Sequence, residues 1–273
     1  SDQIKDLHSS EITKYFSNNF SLEIVQALKK HNNQFFIKNM FNLKKDILNL
    51  KPIKLMDIKS IVERFFHRIF NPTGLFIVFL GCDGVGKSIV IKKISEIFKE
   101  GGFRRIKYFH FAPLAKYQNK NAIATSPHKK KVYSFLISFI KLIYLYFVYL
   151  FGYFFNIKPL LIRSSLIILD RFVYDVIVDP KRYRIKFPAF FIKLISYLLP
   201  KPDLVFILDA TVEIIQQRKR EVDSDILHNL KLKYLQLKNK IKNTYVIDNS
   251  QNLDQTLDSV FQIILTHMSL EKN

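Results

Sequence analysis

Five short segments rich in apolar residues recur along the chain, and stretches with helical spacing of apolar positions separate them. The apolar segments lie at residues 75–80, 103–109, 165–169, 204–208 and 245–247. Short apolar runs without strict alternation are typical of strands that are buried on both faces. When such strands alternate with helices, they form parallel sheets joined by right-handed crossovers. The pattern therefore predicts an α/β fold with a doubly wound, five-stranded parallel sheet, whose binding site lies at the carboxyl ends of the strands.

The stretches between the strands place apolar residues three or four positions apart, often with lysines between them. The predicted helices cover residues 89–99, 188–199, 211–220, 226–241 and 253–268. Residues 1–72 also have helical spacing, which ends at the turn Asn71-Pro72-Thr73-Gly74. We predict that they form a basic helical extension, which either packs on the following domain, residues 73–273, or acts as a separate binding module.

Residues 132–155 are almost wholly apolar and aromatic, and by length they could cross a membrane. A single crossing would place strands of one sheet on opposite sides of the bilayer. We therefore expect a helix that is buried in the domain or in a homodimer interface. Two alternatives stay open: monotopic insertion into a membrane, helped by a basic surface, and a true span or hairpin.

The formal net charge is +20 in 273 residues. Such a charge attracts polyanions, namely nucleotides, nucleic acid or an anionic membrane surface, although lysines can also be simple solvated surface. The basic residues form no recognisable nucleic-acid-binding motif, so no specific nucleic acid is predicted. The one cysteine, Cys82, excludes an internal disulfide, and the N-terminus shows no signal-peptide pattern. We expect a cytoplasmic protein, and a position at the inner face of the membrane stays open as an alternative.

The eight residues that follow the first predicted strand read GCDGVGKS. They match the Walker A phosphate loop, and the predicted strand before them and helix after them supply the context that the motif requires. Gly81, Gly84 and Gly86 allow the tight turn that points successive N–H groups at phosphate oxygens. Lys87 would reach the β- and γ-phosphates, and the Ser88 hydroxyl would bind Mg²⁺.

The residues predicted to hold ATP are those of this loop and the position after it: Gly81, Asp83, Gly84, Val85, Gly86, Lys87, Ser88 and Ile89. The second predicted strand ends at His110, and the third ends at Asp170 and Arg171. Because the carboxyl ends of parallel strands meet at one edge of the sheet, these side chains are further candidates for the site.

Five landmarks follow one another along the chain: GCDGVGKS, ILDRF, PKPDLVFILDATVEIIQQRKRE, LKYLQL and YVIDNSQNLDQTLDSV. In this order of landmarks, residues 75–268 resemble the thymidylate kinase-type P-loop kinases, which are nucleoside monophosphate kinases. The HFAP, SPH and DVIVDPKRYR stretches, with the aromatic helix between them, resemble a divergent branch of this family that is associated with surface-polysaccharide genes. The resemblance implies ATP and Mg²⁺ as cofactors and phosphoryl transfer as the reaction.

The resemblance also implies roles for single residues. Asp83 would contact a sugar hydroxyl of the acceptor, and Arg171 would bridge the donor and acceptor phosphates. Asp170 would orient this arginine or act through the metal. Arg218 and Arg220 would belong to a lid at about residues 216–225, which closes over the γ-phosphate.

The chain departs from the family pattern at the acceptor pocket. FHFAPL stands in place of an Arg-Glu-Pro-Gly stretch, and FVYDVIVDPKRYR replaces the residues that frame thymidine. A hydroxyl acceptor would need a general base, for which His110, Asp175 and Asp179 are candidates, while Arg182 could grip an anionic acceptor.

We therefore predict an ATP- and Mg²⁺-dependent kinase whose default acceptor is a nucleoside monophosphate such as dTMP. One alternative is a kinase that acts on a sugar, a glycan or a lipid-linked acceptor at the membrane surface. A second alternative is a non-catalytic, nucleotide-binding module associated with a membrane.

Overall fold

The computed structural model describes residues 66–114, 131–218, 224–250 and 252–270, together with a few isolated positions before residue 66. A five-stranded sheet in the order β2-β3-β1-β4-β5 forms its centre. All neighbouring strands in this sheet are parallel. The strands are β1 (Leu75–Leu80), β2 (Arg105–His110), β3 (Ser165–Asp170), β4 (Leu204–Asp209) and β5 (Thr244–Asp248). The predicted α/β class and the five-stranded parallel sheet are confirmed.

Helices surround this sheet. They are α1 (Lys87–Lys99), α2 (Phe135–Gly152), α3 (Lys158–Ile162), α4 (Val173–Val178), α5 (Ala189–Leu198), α6 (Val212–Arg218), α7 (Ser224–Leu237) and α8 (Leu253–Leu270). A π-helical turn, Tyr153–Ile157, joins α2 to α3. The sequence analysis did not predict α4, since six residues are too few to show a helical period.

Burial of the strands follows their position in the sheet. Every residue of β1 and β3 is buried, because both strands have neighbours on either side and helices pack on the sheet. The edge strand β2 exposes half of its residues, which explains why its sequence carries charged residues. In the registers of the sheet, Asp170 lies opposite Phe79 on one side and His110 on the other. The ends of β1, β2 and β3 are therefore brought to one point.

One face of α2 packs into the core of the domain, through Leu142, Leu145, Val148 and Tyr149. The expectation that this segment packs on the domain therefore holds for this face. In the described part of the chain, Phe135–Ile162 is the one helical stretch long and apolar enough to cross a membrane, and a third of its most apolar window is buried. A single crossing is excluded, because β2 and β3, which flank this stretch, pair with each other along the same sheet.

Most of residues 1–65, for which the basic helical extension was predicted, lie outside the described residues. Residues 66–70 are helical and lead into the turn before β1. The boundary between the extension and the domain at 73–273 stays a prediction.

Candidate active site

The phosphate loop connects β1 to α1 and is built on glycines in left-handed backbone conformations. The φ angles are 136° at Gly81, 86° at Gly84 and 100° at Gly86, which residues with a Cβ rarely adopt. At Gly86 a Cβ would also lie 2.4 Å from Nδ2 of Asn249. The loop therefore requires glycine at these positions, as the motif predicted.

Lys87 begins α1 and is buried, with 6% of its surface exposed. Its Nζ donates hydrogen bonds to the carbonyl oxygens of Gly81 at 2.7 Å and of Cys82 at 2.9 Å. Burial lowers the pKa of Lys87, and so does the neighbouring Arg171 charge. The ammonium thus lies against the loop's own backbone, and phosphate oxygens would replace these two carbonyls as its partners.

Ser88 and Ile89 follow in the first turn of α1, and both are exposed. The Ser88 hydroxyl is therefore open to a ligand at the helix N-terminus, the end of a helix that favours anions.

Asp83 belongs to the phosphate loop, and its carboxylate lies between two guanidinium groups from outside the loop. It forms ion pairs with Arg171 through Oδ1 and with Arg182 through Oδ2. Burial alone would raise the pKa of Asp83, but the charges of Arg171, Arg182 and Lys87 outweigh it and hold this pKa below its usual range. The carboxylate is therefore ionised, and it fixes both arginines beside the phosphate loop.

Arg171 comes directly after β3 and is buried, with a φ of 72°. A bulky residue with a left-handed backbone is strained, and such strain persists where surrounding contacts impose it. Here the Arg171 N–H donates to the Phe79 carbonyl at 2.9 Å. The guanidinium also lies 3.5 Å from Oδ1 of Asp175. The backbone and both side-chain partners fix where this arginine points.

Asp175 is fully buried in α4. Its Oδ2 accepts a hydrogen bond from the Phe172 N–H at 3.0 Å, and its Oδ1 accepts one from the Tyr234 hydroxyl. Burial raises the pKa of Asp175, although Arg171 and Tyr234 oppose this effect. Asp175 holds Arg171 and the start of α4 in place, and it does not face an open pocket.

Asp170 ends β3 and is buried beside His110. The Asp170 Oδ2 lies 3.5 Å from His110 Nδ1 and accepts a hydrogen bond from the Tyr108 hydroxyl at 3.2 Å. Burial would raise the pKa of Asp170, but His110, Lys87 and Arg171 together lower it. Asp170 Oδ1 is buried and has no hydrogen-bond partner among the described residues.

This orphaned oxygen fits a role in holding Mg²⁺, because Mg²⁺ prefers carboxylate and hydroxyl oxygens and keeps several waters beside phosphate ligands. The described residues contain no group of three or more His, Cys, Asp or Glu that could hold a metal ion alone. An ion at this edge of the sheet would therefore depend on Ser88, Asp170, water and the nucleotide phosphates.

Asp179 and Arg182 shape the loop after α4. The Arg182 N–H donates to Oδ1 of Asp179 at 3.1 Å, and the Arg182 side chain forms its ion pair with Asp83. The next residue, Tyr183, stacks on Phe111 with ring centroids 4.7 Å apart. Sequence reasoning did not identify this aromatic pair, which lies between the end of β2 and the Arg182 loop.

Arg218 ends α6, the helix after β4, and its side chain reaches the phosphate loop. Its Nη1 lies 3.3 Å from the Val85 carbonyl and 3.5 Å from the Asn249 carbonyl. Arg220 and the rest of the predicted lid at 219–223 lie outside the described residues. Arg218 therefore lies against the phosphate loop, and its role as a lid arginine stays a prediction.

The structure brings most of the predicted site residues together. Lys87, Asp83, Arg171, Asp170 and Asp175 act on one another electrostatically at the carboxyl edge of the sheet. The residues that sequence reasoning missed are Asn249, Tyr108, Tyr183 and Tyr234. Asn249 could have been identified from its position directly after the last strand, because polar residues also stand at the ends of β2, β3 and β4.

A parallel sheet in this order, with a phosphate loop after its central strand and arginines at the neighbouring strand end, defines a P-loop nucleotide kinase. The family model for thymidylate kinase matches residues 79–260. The chain therefore belongs to the thymidylate kinase family, and it is an ATP-dependent phosphotransferase.

Individual relatives agree with this family. A probable thymidylate kinase of Archaeoglobus fulgidus is 26% identical over 206 residues, which cover 71% of this chain and 96% of that protein. Probable thymidylate kinase 1 of Saccharolobus solfataricus is 32% identical over 107 residues, 37% of this chain and 55% of that protein.

Solved structures show the same fold. Thymidylate kinase from Ehrlichia chaffeensis superposes with a TM-score of 0.54 at 18% identity, over 71% of this chain and 100% of that one. Thymidylate kinase from Candida albicans gives 0.50 at 22% identity, over 71% of this chain and 92% of that one.

Proposed function

We propose that this enzyme transfers the γ-phosphoryl group of ATP to the phosphate of a nucleoside monophosphate, with dTMP as the default acceptor. The observation that carries the proposal is the pair of guanidinium groups, Arg171 and Arg182, that Asp83 holds beside the phosphate loop. Two fixed guanidiniums suit a phosphate dianion, which they bind in a bidentate manner. The names of the relatives support thymidine as the nucleoside.

The reaction needs positioning and charge neutralisation from this chain. A phosphate acceptor is already ionised, so no general base is required. Lys87 would leave the loop carbonyls and bind the β- and γ-phosphates, while Arg171 would lie between the donor and acceptor phosphates. Arg218 and Arg220 would neutralise charge from the lid side. Asp175 would position Arg171. When the acceptor binds, the ion pairs of Asp83 with Arg171 and Arg182 would weaken, because the acceptor phosphate would bind the same two guanidinium groups.

Mg²⁺ completes the proposed site. Ser88 and Asp170 would hold it, and it would supply positive charge that neutralises the phosphates of ATP. Its binding is tested by Mg²⁺ titration of the ATP complex in Asp170→Asn, with ATP affinity as the readout. We expect the Mg²⁺ dependence of ATP binding to weaken while ATP binding without Mg²⁺ stays the same.

The experiment that tests the acceptor is ATP turnover against a panel of dTMP, other nucleoside monophosphates, free sugars and glycans. Lys87→Ala should abolish turnover, and Lys92→Ala, an exposed lysine on the same helix, should keep it. We expect dTMP to be phosphorylated in preference to the sugars. Turnover with a sugar but not with any nucleotide would contradict the proposal, as would nucleotide binding without turnover.

A second candidate acceptor is a hydroxyl group of a sugar, a glycan or a lipid-linked sugar, as in enzymes of surface-polysaccharide synthesis. The observation that favours it is the pairing of His110 with Asp170 at the ends of β2 and β3. Asp170 would orient the imidazole, and its other nitrogen would accept the hydroxyl proton. The changed sequence at FHFAPL also favours an acceptor other than thymidine.

We further propose a peripheral location at the cytoplasmic face of a membrane. The support is the outer face of α2 and the π-helical turn, which exposes large apolar side chains: Phe135, Leu136, Ile140, Phe147, Phe151 and Phe155. The chain's charge of +20 would favour anionic headgroups. Co-sedimentation with anionic vesicles and its loss at high salt test this location; dimerisation in solution that covers the same face would contradict it.

A further inference from the structure

A second cleft lies at the end of the sheet opposite to the phosphate loop. Its volume is about 780 Å³, within the range of small-molecule sites. Lys201, Pro202 and Asp203, which directly precede β4, line it together with residues 240–243, which directly precede β5. Since all strands are parallel, these segments lie at the amino ends of the strands. The cleft is therefore separate from the site for ATP.

Basic side chains dominate the polar lining of this cleft. Five lysines from four different segments contribute to it: Lys193, Lys201, Lys233, Lys240 and Lys242. The carboxylate of Asp203 is also present, but its Oδ2 accepts a hydrogen bond from the Phe76 N–H at 2.7 Å. The positive charges of lysines that line one concavity repel each other, and a bound anion reduces this repulsion.

Apolar side chains form the floor of the same cleft. Tyr174, Ile177 and Val178 of α4 contribute to it, together with Leu237 and Ile241. Tyr174 and Leu237 are buried, so the floor is part of the domain core. A simple inorganic anion would leave this apolar surface uncovered.

The apolar surface continues from the cleft onto the outer face of α5. Tyr197 lines the cleft and is 67% exposed, and the Nζ of Lys201 lies 5.6 Å from its ring centroid. Phe190, Phe191 and Leu194 on the same helix are also exposed. An exposed apolar strip beside a basic cleft fits a ligand that has an anionic end and a hydrocarbon end.

We propose that this cleft binds one anionic amphiphile of the lipid class, with its anionic headgroup among the lysines and its hydrocarbon chain along Tyr174, Ile177 and Tyr197. The assignment does not depend on which acceptor the kinase uses, because it rests on residues at the other end of the sheet. Because residues of α4 line the cleft, we expect ligand binding to change the surroundings of α4, the helix that carries Asp175.

The test is isothermal titration of the full chain with dihexanoyl phosphatidic acid, a soluble lipid with an anionic headgroup. Inorganic phosphate, AMP and dihexanoyl phosphatidylcholine are the comparison ligands, which separate the contributions of charge and chain. We expect saturable binding of one phosphatidic acid per chain. Affinity should be about tenfold or more above that of phosphate, because the acyl chains bury apolar surface.

Two double variants with the same net charge give the matched comparison. Lys233→Glu/Lys240→Glu reverses two lysines of the cleft, and Lys92→Glu/Lys238→Glu reverses two exposed lysines that do not line it. The first should weaken binding about tenfold or more, and the second less than about twofold, because exposed charges outside the cleft are screened by salt. Thermal melting of both variants shows whether each is folded.

Three results would overturn the proposal. The first is an absence of saturable binding in the wild-type chain. The second is binding of phosphate or AMP at this cleft as tight as that of phosphatidic acid, which would show an anion site without a role for the chain. The third is an equal loss in both double variants, which would show diffuse charge attraction. Lys87→Ala should still bind phosphatidic acid, so failure of the kinase proposal would be recognised separately.

Discussion

The Nδ2 amide of Asn249 donates a hydrogen bond of 2.7 Å to the backbone carbonyl of Val85, across 164 positions of sequence. Asn249 directly follows β5, and Val85 lies in the middle of the phosphate loop. The hydroxyl of Thr256 in α8 donates to Oδ1 of Asn249 at 3.1 Å, which fixes the orientation of the amide. The last strand and the last helix therefore hold the loop in the conformation that receives phosphates.

Replacing Asn249 with alanine should weaken ATP binding. The Val85 carbonyl would lose the shorter of its two hydrogen bonds and keep the one from Arg218, which costs about 0.5–1.5 kcal/mol of unfolding free energy. The loop would also lose a fixed support, so we expect a rise of about tenfold in the KM for ATP. Steady-state kinetics and chemical unfolding measure the two effects.

Asn252→Ala is the control for this change. Its Oδ1 caps the start of α8 by accepting from the Asp254 N–H at 2.9 Å, and among the described residues its side chain shows no hydrogen bond to the phosphate loop. We expect a loss of stability of about 1 kcal/mol with no change in the KM for ATP. A similar rise in KM for both variants would contradict the role assigned to Asn249.

The ion pairs of Asp83 should make stability depend on pH in acid. In the folded chain the pKa of Asp83 is held below its ordinary value of 3.8 by two arginines. Its stabilising effect is therefore complete above about pH 4 and declines as the pH falls further, because the unfolded chain then takes up the proton first. Asp83→Asn removes this effect and should cost about 3–5 kcal/mol at pH 7.

Urea unfolding of the wild-type chain and of Asp83→Asn between pH 3 and 7 measures this prediction. The difference in free energy should be constant from pH 7 to pH 5 and should narrow below pH 4, by up to about 1.4 kcal/mol per pH unit. A difference that widens as the pH falls would show that the carboxylate is not held in its ionised form.

Replacing Arg182 should weaken binding of the acceptor more than binding of ATP. Arg182→Ala removes one of the two guanidiniums that Asp83 holds, and we expect the KM for the acceptor to rise about tenfold or more with a smaller change in the KM for ATP. Lys181→Ala, at the exposed neighbouring position, is the matched control. Equal effects of both variants on both substrates would contradict a specific role for Arg182.

His110 distinguishes the two classes of acceptor. If the acceptor is a phosphate, His110→Gln should change kcat less than threefold or so, because no proton has to be removed. If the acceptor is a hydroxyl, loss of the general base should lower kcat by about 10²–10⁴. The pH profile of kcat gives a second readout, since only the hydroxyl reaction should lose an acid limb in the variant.

The sheet and the phosphate loop could be predicted because their signals are local. β1 and β3 are unbroken apolar runs, and Lys87 belongs to a motif of eight adjacent residues. The predicted second strand begins at residue 103, two residues before β2 begins. Phe103 is apolar although it does not belong to the strand. It packs edge-to-face on Phe98 of α1, with ring centroids 5.4 Å apart.

The contacts that support the site could not be predicted in the same way. Tyr234 contacts Asp175, which lies 59 positions earlier in the chain. Tyr183 stacks on Phe111, and the whole of α2 lies between these two residues in the sequence. Neither contact leaves a periodic trace in the sequence, since each depends on how helices and loops pack after the sheet has formed. The short helix α4, which carries Asp175, is likewise fixed by its neighbours.

Phosphoryl transfer to dTMP is tested most directly by ³¹P NMR of the full chain with ATP, Mg²⁺ and dTMP. We expect dTDP and ADP to appear in equal amounts with the wild-type chain, and Lys87→Ala and Arg171→Ala to form neither at a comparable rate. Hydrolysis of ATP to ADP and free phosphate without dTDP, or dTDP formation that survives both substitutions, would contradict this expectation.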